Sequence, residues 1–275
     1  MTETIGIIGQ GFVGNAVYQK FKNYYPVLTY DLDESKCNSA LGDLLNECKV
    51  IFLCLPTPMN ADGSCNVSIL ERVLDDVDQS GKHVVVVKST IPPGTTKGWN
   101  AKYKNLSIAF NPEFLTERNA IEDYEHQQRI ILGGPKSTIT SLKQIFSKVF
   151  PNAYIVKTDS TYAEMVKYLI NCFLSVKVSF ANEIYQICQQ LDIDYDKVVE
   201  YAIYDERLGN SHWLVPGHDG DFGFGGHCFP KDLSAIIHLS DSLNTVNNVL
   251  KATRSTNDVV RKDRDWEKMK GRAVI

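Results

Sequence analysis

The chain has 275 residues, 43% of them hydrophobic and 23% charged, enough for one large domain or two ordinary ones with real cores. Its 29 Lys and Arg against 33 Asp and Glu give a formal charge of −4, so no basic excess exists to neutralise a phosphate backbone and nucleic acid is excluded as a main partner. With 18 glycines and 10 prolines the composition is neither collagen-like nor disordered, and no uncharged apolar run approaches the roughly 20 residues of a membrane span.

In chain order, strands are expected at Thr4–Ile8, Val27–Asp31, Val50–Leu55, His83–Lys88, Ser107–Phe110 and Arg129–Gly133, and the rhythm changes after Ile155–Lys157. Helical patterns lie between them at 13–24, 67–79 and 136–149. This rhythm predicts an α/β fold with a doubly wound, mainly parallel Rossmann-type sheet. The runs Val50–Leu55 and Val84–Val87 are apolar on consecutive residues, as in strands covered on both faces. From Ser160 to Gln190 neither Pro nor Gly occurs, and apolar residues advance by threes and fours, predicting one long helix. A Gly-, His- and Asp-rich loop is expected over 204–227 and a second long helix over Leu233–Arg261. The implied organisation is a dinucleotide-type domain at 1–157, a smaller helical domain at 158–262 and a tail at 263–275 that ends on the start of another strand.

No basic leader precedes the first strand, so no signal peptide is expected. Cysteines 37, 48, 54, 65, 172, 188 and 228 are odd in number and none has C-x-x-C spacing. Reduced thiols in the cytoplasm are therefore expected, with no structural zinc or other metal site.

Four segments carry chemistry. Gly9-Gln-Gly11-Phe12-Val13-Gly14 follows a strand and opens a helix, as a dinucleotide fingerprint requires. Gly9 permits the turn, Gly11 lets a pyrophosphate approach backbone amides, and Gly14 lets helix and strand pack closely. Asp31, at the end of the second strand, can accept bonds from both ribose hydroxyls and would repel a 2′-phosphate, selecting NAD over NADP. A Gly-rich turn in an ordinary α/β protein is the plainer alternative. Around Cys228, the run Gly223-Phe224-Gly225-Gly226-His-Cys228-Phe-Pro-Lys231-Asp232 bends the backbone so that a ligand can approach sulfur. The amide dipoles of the following helix can lower the thiol pKa, and Lys231 and Asp232 could tune that thiolate or move protons. A structural cysteine in a tight turn is the alternative. Lys167 and Asn171 are i,i+4 on one helix face and could stabilise an oxyanion, or could be a solvated pair with Glu164–Lys167 as a surface ion pair. Thr90, in Lys88-Ser-Thr90-Ile-Pro-Pro-Gly94, and Glu113, in Asn111-Pro-Glu113-Phe114-Leu115-Thr116-Glu117, lie just past strands with Thr57, at the sheet edge where doubly wound folds bind ligands. Thr90 could order a water for Glu113 to deprotonate.

The stretches GQGFVG, CLPTP, KSTIPPGTT, NPEFLTE, AEMVKYLINCFLSVKVSFANE and GFGGHCFPKD, in this order over residues 9–232, resemble the UDP-glucose/GDP-mannose dehydrogenase family, and most of all its members that oxidise UDP-glucose. The resemblance implies that a nucleotide sugar's C6 alcohol is oxidised to a carboxylate in two NAD-dependent steps. Cys228 would be the nucleophile, Lys167 and Asn171 the oxyanion pair, Asp232 a proton-transfer partner of Lys167, Glu113 the hydrolytic base and Thr90 the water-ordering group. Gly9, Gly11, Phe12, Val13, Gly14, Asp31, Lys36, Thr57, Thr90 and Glu117 would hold NAD. Glu113, Phe114, Leu115, Thr116, Glu117, Lys167, Asn171, Arg207, Phe224 and Gly225 would grip the sugar nucleotide. A homodimer through the helical domain is implied, with Arg207 reaching across it. Members of the family carry a third, nucleotide-closing domain, and this chain stops about where that domain's first strand would begin. Alternatives are a single-step β-hydroxyacid or 6-phosphogluconate type of dehydrogenase and a non-catalytic NAD-binding partner.

Overall fold

The computed structural model describes residues 3–275; Met1 and Thr2, ahead of the first strand, lie outside them. Seven strands, β1 (Ile5–Ile8), β2 (Val27–Tyr30), β3 (Val50–Leu53), β4 (His83–Val87), β5 (Leu106–Phe110), β6 (Arg129–Gly133) and β7 (Tyr154–Thr158), form one sheet in the order β2-β1-β3-β4-β5-β6-β7. All pairings are parallel except β5–β6, which meet antiparallel at Phe110 and Gly133. Helices α1 (Phe12–Phe21), α2 (Leu41–Glu47), α3 (Ser68–Ser80), α4 (Thr95–Lys102), α5 (Ala120–Glu125) and α6 (Lys136–Val149) connect them. One apolar layer joins Ile5, Ile7, Phe52 and Val86 to α1, α5 and α6. The other joins Ile8, Ile51, Leu53, Val85 and Val87 to α2, α3 and α4. Consecutive strand residues thus face opposite covered sides, which is why these strands carry unbroken apolar runs. The sheet is the doubly wound Rossmann type expected.

The remaining helices are α7 (Ser160–Gln190), α8 (Tyr195–Ala202), α9 (Phe229–Ser242) and α10 (Asn248–Val260). Compact units divide within α7: Met1–Thr57 with Val67–Lys167, and Pro58–Asn66 with Tyr168–Ile275. The division falls inside the long helix rather than near residue 157, and a short excursion after β3 belongs with the helical unit. In that unit Tyr168, Cys172, Phe224, Leu233, Ala235, Ile236 and Ile237 form one core cluster. No helix among the described residues is long and apolar enough to cross a membrane.

Two expectations are corrected. The single helix over Leu233–Arg261 is two, because residues 243–247 turn the chain, with Asn244 at φ 53°. Apolar spacing continues through this break, so periodicity alone misses it. The first of the two starts at Phe229 and takes Pro230 in its first turn, where a missing N–H costs nothing. In the tail, Asp265–Lys268 is a 3₁₀ turn, and Met59 pairs with the 273–275 segment through Met59 N–H to Ala273 O (2.8 Å) and Ile275 N–H to Met59 O (3.2 Å).

Glu164 and Lys167 do not form a surface ion pair; both are buried. Glu164 accepts the amides of Gly94 (2.5 Å) and Thr96 (2.8 Å), capping α4 where Gly94 adopts φ 95°. Burial raises its pKa. Glu164→Ala should lower unfolding stability by about 2–3 kcal/mol, the loss of two charge-assisted bonds to buried amides, with Glu164→Gln costing less. Urea denaturation of the three proteins checks this; equal midpoints for Ala and wild type would refute the capping role.

Candidate functional site

At the carboxyl end of β1 the chain turns at Gly9 (φ 93°), where a Cβ would lie 2.4 Å from Cys54 O. A Cβ on Gly14 would lie 1.8 Å from Gly9 O, so only glycine lets α1 start this close to the strand. Gly11 differs: nothing lies within 4 Å of its missing side chain. It borders a cavity of about 630 Å³ lined also by Gln10, Phe12, Asn15, Lys36 and Cys37. These are the features of a phosphate-approach glycine at a helix N-terminus. Val13 is half-buried on α1 beside them. Asp31, just past β2, accepts the Gln10 amide at 2.5 Å and the Asp33 amide at 2.9 Å. Lys36 lines the cavity with its ammonium 3.0 Å from Asp33.

Further along the same sheet edge, the loops after β3 and β4 are stitched together. Thr57 Oγ1 donates to Thr90 O (2.9 Å), and Ser89 Oγ links to both the amide and carbonyl of Leu55. After β5, Glu113 is 8% exposed and fully engaged. Its Oε1 accepts Lys167 Nζ at 2.9 Å, its carbonyl accepts the same ammonium at 2.7 Å, and its Oε2 accepts the Leu115 amide at 2.8 Å. Burial pushes the Glu113 carboxyl up, but Lys167, the Leu115 amide and Lys88 hold it below its ordinary range. Sequence reasoning gave Lys88 no role. It is 2% exposed, donates to Asn111 Oδ1 at 2.8 Å, and burial pulls its pKa down to about 8. An ammonium this deep needs such partners; the signal was a Lys continuing an all-apolar strand.

The neighbouring predicted residues differ in placement. Phe114 is half-buried beneath the Lys167 ammonium (5.6 Å to the ring centroid), and Leu115 packs into the core. Thr116 is exposed and tied to Asp123, and Glu117 is exposed at the start of a 3₁₀ turn.

In the helical unit, Cys228 is the half-buried N-cap of α9. One turn on, Asp232 is 1% exposed; Lys231 holds its Oδ1 and Asn171 Nδ2 donates to its Oδ2 at 2.6 Å. Burial disfavours the Lys231 ammonium, but Asp232 and then Cys228 hold its pKa above the ordinary value. Cys228, Lys231 and Asp232 thus lie close enough to interact, with Asn171 donating to the carboxylate. Cys172, by contrast, is buried and its thiol is pushed far up. Phe224 is a core residue whose N–H and C=O are both taken by Asn257, and the space beside Gly225 is filled by Arg261 and Asp265. Arg207 is exposed and bound to Asp205.

Residues 36–151 match the NAD binding domain of the UDP-glucose/GDP-mannose dehydrogenase family, and residues 161–259 match that family's central domain. UDP-glucose 6-dehydrogenase AglM of Haloferax volcanii is 31% identical, the alignment covering 92% of this chain and 69% of that protein. The chain belongs to the UDP-glucose/GDP-mannose dehydrogenase family. UDP-glucose 6-dehydrogenase YwqF of Bacillus subtilis is 36% identical over 78% of this chain and 49% of its own length. The structure of a UDP-glucose dehydrogenase from the hyperthermophilic archaeon Pyrobaculum islandicum superposes with a TM-score of 0.85 at 28% identity, over 94% of this chain and 68% of that one. The chain therefore spans between about half and two thirds of the length of these relatives. NAD is the dinucleotide of its Rossmann-type unit, and the open face of Gly11 beside Asp31 fits that cofactor.

Because the folded pKa of Glu113 is depressed, its ionised form stabilises the fold above the ordinary glutamate value of about 4.3, and that contribution is lost as the pH falls below it. The stability gap between wild type and Glu113→Gln should be large at pH 7 and shrink toward pH 3.5. A gap independent of pH in urea titrations would show that the Lys167 pair contributes nothing.

Proposed function

We propose that this chain oxidises the C6 primary alcohol of a nucleotide sugar, UDP-glucose foremost, to the carboxylate through Cys228. The observation that carries this reading is the thiol at the N-terminus of α9 beside a buried Lys231–Asp232–Asn171 group. Helix dipole and ammonium both favour thiolate there. A single-step hydroxyacid dehydrogenase has no use for such a thiolate.

Bound NAD supplies the hydride acceptor for each oxidation. Gly11 and the first turn of α1 hold its pyrophosphate, Asp31 its ribose, with Phe12, Val13, Lys36, Thr57, Thr90 and Glu117 along the same edge. In the first oxidation the alcohol gives up its hydroxyl proton to water, with Asp232 assigned as the onward acceptor, and a hydride from C6, leaving an aldehyde. Cys228 sulfur adds to that carbon, and the resulting alkoxide is stabilised by Lys167 and Asn171. Loss of a second hydride from the thiohemiacetal leaves a thioester. Water ordered by Thr90 and deprotonated by Glu113 attacks the thioester carbon, expelling sulfur and freeing the carboxylate. One alcohol, two oxidised dinucleotides and one water thus give one carboxylate, two reduced dinucleotides and three protons. A reduced, cytoplasmic setting suits the thiol.

We also infer a homodimer. On the helical unit's share of α7, Leu169, Phe173, Phe180 and Ile187 are exposed at helical spacing, an apolar stripe fit for a second copy.

Purified protein with saturating NAD should release two NADH per UDP-glucose, and Cys228→Ser should fall by at least a hundredfold while retaining NAD binding. Stopped-assay NADH counting against a panel of nucleotide sugars checks this. One NADH per sugar with full activity in Cys228→Ser would favour the single-step alternative.

A further inference from the structure

The loop before Cys228 has little stiffness of its own: Gly220, Gly223 and Gly226 all adopt positive φ (79°, 68° and 69°). Asn182 of α7 accepts the Gly223 amide at 3.1 Å, and further anchors come from α10 and the segment after it. Asn257 accepts the Phe224 amide at 2.7 Å and donates to the Phe224 carbonyl at 3.0 Å, and a Cβ on Gly223 would lie 2.2 Å from its Oδ1. One turn later Arg261, whose side chain is 3% exposed, meets three loop or tail carboxylates. Nη1 donates to Asp219 Oδ2 at 2.7 Å, Nη2 lies 3.4 Å from Asp265 Oδ1, and Nε is 3.6 Å from Asp221. Asp265 then accepts the Gly226 amide with both oxygens, at 3.1 and 3.0 Å. A Cβ on Gly225 would lie 2.2 Å from the guanidinium and 2.4 Å from Asp265, so this glycine admits the clamp.

We propose that Asn257, Arg261 and Asp265 are positioning residues for Cys228: they latch the glycine-rich loop at residues 219–226 and so set where the thiol stands at the start of α9. The proposal rests on Cys228 being the nucleophile. It makes the segment just after α10 part of the apparatus that serves the thiol. Arg261 is suited to this because its planar fork can meet several carboxylates at once, which a lysine ammonium cannot do.

The test compares wild type with Asp265→Asn, Asp265→Glu and Arg261→Lys, following iodoacetamide labelling of the Cys228 peptide by mass spectrometry alongside steady-state kinetics. Asp265→Asn should keep its melting temperature within a few degrees and its affinity for NAD. Its Cys228 should be labelled at least fivefold faster, and kcat should drop at least tenfold with the KM for sugar within twofold. Asp265→Glu should recover part of both. If wild type shows no dehydrogenase activity, the catalytic reading fails while the labelling comparison still decides the latch. Labelling at the wild-type rate or slower in Asp265→Asn would overturn the proposal. Should Arg261→Lys not fold, the partly exposed Asp265 decides alone.

Discussion

A carboxylate taken out of water survives as an anion only where other groups take over its hydration, and the helical unit obeys this at the first turn of α9. Asp232 is almost fully enclosed, and each of its oxygens has a dedicated donor, Lys231 on one side and Asn171 on the other. This satisfied anion raises Lys231 and so keeps a fixed positive charge next to Cys228. The cysteine gains a cation and a helix terminus together. Without Asp232, burial would favour a neutral Lys231, and the thiol would lose its cationic neighbour.

The same rule recurs in the Rossmann-type unit. Glu113 is enclosed and met by Lys167 and by a backbone amide. α7 thus supplies a cation to one buried carboxylate and, four residues later, an amide to another. A solvated Lys–Asn pair would need neither. Glu164 gives the helix a third buried carboxylate, used to cap α4, so α7 also anchors a loop at its amino end.

Much of this was legible in the sequence because the strongest signals are local. Consecutive apolar residues at Val84–Val87 mark a strand covered on both faces, and Gly9, Gly11 and Gly14 mark a strand-to-helix turn whose steric demands the coordinates bear out. Short helices such as α2, α4 and α8 were not predicted, since about two turns carry little periodic signal and their stability comes from packing. The break at residues 243–247 was hidden by apolar spacing that runs through it. A glycine-rich turn looks the same in sequence whatever it admits, and only the position of Arg261, some thirty-five residues away, shows which side chain packs beside Gly225. Asn257 and Arg261 were missed for the same reason: each is an ordinary polar residue until the loop it holds is known.

We propose that the setting at the start of α9 makes Cys228 a thiolate at neutral pH. The pH dependence of its carboxamidomethylation, read on the Cys228 peptide in wild type and in Lys231→Met, measures this directly. A midpoint clearly below the ordinary thiol value of about 8.5 is expected in wild type, with an upward shift when the ammonium is removed. A wild-type midpoint at or above that value would contradict the role assigned to this sulfur.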